Sequence, residues 1–169
     1  MEVPLSVILV LIVVIGAVGL FVANYVSSYP GSEKSIPPVK ASFPSGNPIY
    51  KVSNAYVIPV RFAKSTEKPI AVCKIVLNYM DNTGNTREAS IVFANSPTSY
   101  RTTAQFSDGV VELPTPVITK RALDTTITVK FNGAQYQLNA ITIFYCEYGV
   151  STKPKWSETL LIPETVLSP

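Results

Sequence analysis

Few residues in this chain could do chemistry, and their types narrow what that chemistry is. There is no histidine, so the usual general base near neutral pH and the commonest metal ligand are both missing. The two cysteines, Cys73 and Cys146, cannot build a four-cysteine zinc site. They can close one disulfide or stand as two buried thiols. No glycine-rich phosphate loop occurs, and the 11 aspartates and glutamates are scattered through turns and strand faces rather than paired for acid–base work. Charged residues make up 15% of the chain and nearly balance, so no basic stripe suggests nucleic acid as a partner. The expectation is a protein that is not an enzyme, with no catalytic, cofactor-binding or metal-ligating residues.

The most distinctive element is apolar. From Val3 to Ser32 the chain carries no charge, and its first lysine is Lys34. As an α-helix, Leu5–Val26 would span roughly 33 Å at 1.5 Å per residue, which matches a hydrocarbon core of about 30 Å. Pro4 suits the first turn of such a helix, and Tyr29-Pro30-Gly31 ends it. The stretch is too long for the apolar region of a secretory signal peptide and lacks the basic flank of one. A permanent membrane anchor is the second reading. Basic residues usually mark the cytoplasmic side, yet Lys34, Lys40 and Lys51 follow the span while only Glu2 precedes it. That would put a domain of extracellular composition inside the cell. A third reading removes the conflict: the chain is mature, a short basic leader has been cut off, and the helix first rests in the membrane and later meets copies of itself. The small side chains of Gly16, Gly19 and Ala23 suit close helix–helix approach. The larger residues Leu5, Val7, Ile8, Leu11, Ile12, Ile15 and Leu20 would fill an environment apolar on all sides.

The chain therefore divides into a hydrophobic polymerisation or membrane helix over 1–27, a linker over 28–48, and a β-domain over 49–169. The linker holds Pro30, Pro37, Pro38, Pro44 and Pro48 with serines and glycines. It reads as an extended, semi-stiff connector. After Ile49 the apolar period becomes two: Tyr56, Ile58, Val60 and Phe62, then Cys73, Ile75, Leu77 and Tyr79, the pattern of half-buried strands. Further strands are expected over 86–93, 99–106, 110–113 or on to 120, and 125–131. Asn132-Gly133 is a strong hairpin signal and predicts that 127–131 folds onto 135–148. A last strand is expected over 156–166, at an edge because of Pro163. The fold class expected is α+β: one long hydrophobic helix followed by an antiparallel sandwich of about seven or eight strands.

The separation of Cys73 and Cys146 is close to that with which immunoglobulin-like sandwiches clip their two sheets together. Here the resemblance is architectural, since the single tryptophan, Trp156, lies near the end of the chain and Phe144 stands where a tyrosine corner would need tyrosine. An oxidised pair would place the domain outside the reducing cytosol. Abundant Ser and Thr suit exposed strand faces, O-glycosylation or adhesion. No Asn-x-Ser/Thr sequon is present.

An apolar helix at the amino terminus followed by a β-sandwich resembles archaeal type IV pilins and archaellins. The resemblance covers the layout of the whole chain, and at residue level the stretch Pro4–Val26. It implies that a basic leader is cleaved and that the helix waits in the plasma membrane. Subunits are then extracted into an extracellular helical homopolymer, with helices in its core and β-domains on its surface. It also implies adhesion to host or abiotic surfaces. Leu5 stands where bacterial pilins carry a glutamate, which archaeal members commonly lack. A membrane-anchored surface protein, or a virion envelope protein, with an Ig-like binding domain is the alternative that a translated start at Met1 leaves open.

Overall fold

The computed structural model describes residues 36–163. They form an all-β, antiparallel structure with no helix among them, and a compact unit begins at Pro37. The α+β class expected from the sequence is thereby corrected. The expected helix over 1–27, with all ten of its marked positions, lies outside the described residues.

Thirteen strands are present among those residues. β1 (Val39–Ser42), β2 (Tyr50–Val52) and β3 (Ala55–Lys64) open the chain, followed by β4 (Ile70–Met80) and β5 (Thr86–Val92). Short strands β6 (Ala94–Ser96), β7 (Ser99–Tyr100), β8 (Thr103–Phe106), β9 (Gly109–Glu112) and β10 (Val117–Ile118) come next. The long strands β11 (Ala122–Phe131) and β12 (Gln137–Glu147) precede the last, β13 (Trp156–Leu161). One sheet runs β1-β3-β11-β9-β8 with β2 also on β3; the other runs β10-β4-β12-β13 with β5 also on β4; β6 and β7 form a small hairpin.

The period-two pattern decides what fills the space between the sheets. Ile58, Val60 and Phe62 of β3 are fully buried, as are Ile127 and Val129 of β11. They meet Ile75 and Leu77 of β4 and Ile141, Ile143 and Tyr145 of β12 in one apolar core. Phe62 and Tyr145 pack edge-to-face at 6.2 Å across that core, the geometry favoured by the ring quadrupoles.

Pro59 sits inside a long strand, where a missing N–H would normally break a ladder. Val52 and Ala55 flank the Ser53-Asn54 turn and pair with each other. A two-residue hairpin makes its flanking pair hydrogen-bonded, so odd-numbered residues of β3 aim their backbone polar groups to that side. β2 covers Ala55–Val57 there and β1 covers Arg61–Lys64. Pro59 faces the gap between them.

Several expectations hold and others are revised. The strands expected over 56–62, 73–79, 86–93 and 125–131 are present as β3, β4, β5 and β11. The segment 99–106 is split into β7 and β8, and 110–120 into β9 and β10, which belong to different sheets. The strand expected over 156–166 is shorter, since β13 ends at Leu161 before Pro163; among the described residues it is an edge strand paired only with β12. Of the stretch expected as linker, Val39–Ser42 is instead a strand paired along Lys64–Arg61, with Val39 and Ala41 buried. Glu158 of β13 accepts a hydrogen bond from the Ala41 amide.

The Asn132-Gly133 hairpin is not formed. β11 pairs with β3 and β9, while β12 pairs with β4 and β13, so the chain crosses between sheets at this point. A type I′ turn needs φ > 0 at both central residues, and neither Asn132 nor Gly133 has it. Asn132 instead donates its amide to the Asp108 carbonyl at 2.8 Å, and Tyr136 stacks on Phe131 at 5.0 Å. Burial of that aromatic pair outweighs the local turn preference.

Candidate functional site

Cys73 and Cys146 form a disulfide with a Cα–Cα distance of 5.8 Å, within the usual bridging range. The bridge does not clip the two sheets together, as the immunoglobulin-like spacing had led us to expect. It joins β4 and β12, which are neighbours in one sheet. Phe144 pairs with Lys74 and Tyr145 with Val72, so Cys73 is the extra residue of a β-bulge. The bulge interrupts the alternation, and Ile70, Ala71, Val72 and Cys73 are all buried. A bulge re-aims the side chains beside it, and here it brings a cysteine next to Cys146.

The bridge clamps the strand ends that carry a cleft of about 350 Å³. Thr66, Lys68 and Pro69 of the β3–β4 loop form one side, and Glu147, Tyr148 and Trp156 the other. Each side is braced. The Lys64 ammonium is buried and donates to the carbonyls of Glu67 (3.3 Å), Lys68 (3.0 Å) and Thr119 (3.0 Å). Those three acceptors satisfy its donors, which is what makes burying a charged amine tolerable. The Ser65 amide donates to the Pro38 carbonyl at 2.8 Å, and the Lys68 amide to Thr66 Oγ1 at 3.3 Å.

On the opposite side Glu147 ends β12 and Gly149 turns the chain with φ +80°, a conformation that costs glycine little. The Gly149 amide donates to the Pro97 carbonyl at 2.8 Å, and the Tyr148 hydroxyl to the Thr98 carbonyl at 3.3 Å. The Tyr148 ring lies 5.9 Å from Tyr100. These contacts anchor the loop on the β6–β7 hairpin. Lys155 Nζ donates to Glu147 Oε1 at 2.9 Å and sits 5.0 Å from the centre of the Trp156 ring. The Glu147 charge is thus already matched. Lys68 is exposed and makes no ion pair among the described residues.

Two other polar clusters are structural in geometry. Asp81 accepts from the Thr83 amide (2.8 Å), the Thr83 hydroxyl (2.6 Å) and the Asn85 amide (3.0 Å), and pairs with Arg87. The Thr83 hydroxyl, with Arg87 next, holds its carboxyl well below the usual carboxylate range. Asp108 accepts from the Tyr79 hydroxyl at 2.6 Å and the Tyr136 hydroxyl at 3.4 Å. Burial, then the Asp108 hydrogen bond, pushes Tyr79 up to about 12. Among the described residues, no three Cys, Asp or Glu side chains converge as a metal ion would need.

Of the residues marked from the sequence, the structure brings together Cys73 and Cys146. The positions Leu5, Val7, Ile8, Leu11, Ile12, Ile15, Gly16, Gly19, Leu20 and Ala23 lie outside the described residues. Sequence reasoning missed the cleft. Its one available signal was the clustering of Glu147 and Tyr148 directly after Cys146, with the lone tryptophan soon after. No family model matches this chain, and no curated protein or solved structure matches it either.

Proposed function

We propose that this chain is a structural subunit of an extracellular, pilus-like filament, with its β-sandwich displayed on the filament surface for adhesion. The observation that carries the reading is the uncharged stretch Val3–Ser32 preceding a disulfide-bridged sandwich. A stretch this apolar is insoluble when exposed, and burying it against copies of itself gains about 25 cal/mol per Å² of apolar area. A self-contact that does not close on itself propagates as a helical fibre. The Cys73–Cys146 bridge supports the extracellular part of the reading, because such bridges persist outside the reducing cytosol. It weighs against the cytoplasmic placement that Lys34, Lys40 and Lys51 would otherwise favour.

Electron microscopy of the full chain, released from membranes and depleted of detergent, tests this. Filaments are expected, and a chain lacking Leu5–Val26 should remain monomeric. Fibres from the truncated chain would show that the apolar stretch does not drive assembly. A full chain that stays in small detergent-dependent particles would favour a membrane-anchored surface or virion protein instead.

A further inference from the structure

We propose that the cleft at the disulfide-clamped end of the sandwich binds an acidic saccharide, a sugar unit carrying a carboxylate. Its volume of about 350 Å³ falls in the range of small-ligand clefts. Its lining is divided in character. Tyr148, Trp156 and Pro69 present ring surfaces, while Thr66, Lys68 and Glu147 present a hydroxyl, an ammonium and a carboxylate. A pyranose is divided in the same way, with a flat C–H face for the rings and a hydroxylated edge for the polar groups. A wholly apolar ligand would leave those polar groups desolvated and unpaired, which costs binding free energy.

The charge of the ligand follows from the ion pairing. Lys155 neutralises Glu147 at 2.9 Å, so Lys68 is the lining charge without an ion-pair partner among the described residues. An anionic group beside it gains a charge-assisted hydrogen bond, whereas a cationic ligand meets repulsion from Lys68. The cleft is also held open before any ligand arrives. The disulfide fixes the ends of β4 and β12, Lys64 braces one loop, and Gly149 with Tyr148 ties down the other. A site already in its binding shape loses little ordering entropy on association. Binding at this cleft does not depend on whether the chain polymerises.

Saturation-transfer NMR on the full chain in neutral detergent micelles tests it, with digalacturonate as probe and neutral digalactose as comparison. Digalacturonate should bind, weaken with added salt, and bind at least fivefold more tightly than digalactose. Lys68→Gln, an exposed change, should weaken digalacturonate about tenfold, the size of one charge-assisted contact, and leave the thermal melt unchanged. Trp156→Phe should weaken both sugars while keeping the fold. No binding of either sugar, equal binding of the two, or full affinity in Lys68→Gln would overturn the proposal.

Discussion

Asp81 and Tyr79 stand at opposite ends of the pH scale and make opposite predictions. The Asp81 carboxyl is held below its ordinary value of 3.8 by Thr83 and Arg87. A depressed acid contributes stability above its unfolded value and loses it as pH falls through the folded one. The melting temperature should therefore fall as pH drops below about 4, and Asp81→Asn should lower it at neutral pH and flatten the acid limb. Thermal melts across that range check this; an unchanged acid limb in the variant would sink it. Tyr79 is raised from 10.0 to about 12, so its contribution is intact below pH 10 and lost as pH rises through 12. Tyr79→Phe removes the 2.6 Å bond to Asp108 and should cost about 1.5–3 kcal/mol. The deficit, read by urea unfolding, should shrink above pH 10. Both residues were legible as strand and turn positions. Their partners were not, because Asp108 reaches Tyr79 only once β8 and β9 lie near β4.

At the scale of elements, the close approach of β9 to β11 rests on one glycine. A Cβ on Gly109 would stand 2.1 Å from the Lys130 carbonyl oxygen, on the strand to which Phe131 pairs it. Gly109→Ala should force β9 away and cost roughly 2–4 kcal/mol, the size of an overpacking defect. Hydrogen exchange should show faster exchange at Val110 and Lys130, which pair across the two strands; protection equal to that of the unaltered chain would refute the clash. The alternation that defines β3, β4 and β11 was readable, because a strand's two faces follow from a local period of two. The Asn132-Gly133 crossing was not. The turn signal is local, while the stacking of Tyr136 on Phe131 and the tether to Asp108 are not. Val39–Ser42 escaped notice for a related reason: an extended, proline-flanked segment becomes a strand only when an edge such as that of β3 is there to receive it.

At the scale of the whole molecule, the disulfide closes a loop of 73 residues, and its largest effect is on the unfolded chain. Loop-closure entropy for that length amounts to about 4 kcal/mol. Replacing both cysteines by alanine should lower unfolding free energy by roughly that amount in chemical denaturation, with the spectrum of the folded state retained. A loss below about 1 kcal/mol would contradict the entropic account. By itself the sequence determined the β-rich character of residues after Ile49, the uncharged amino-terminal stretch, and the presence of two cysteines able to pair. Each of these is a matter of composition or local period. Only the tertiary structure decided which sheet each strand joins, that the cysteines bridge neighbouring strands at a bulge, and that Lys68 and Trp156 come to share a cleft. Those outcomes depend on pairing between segments far apart in the chain, and local alternation states which face of a strand is buried without stating which strand lies beside it.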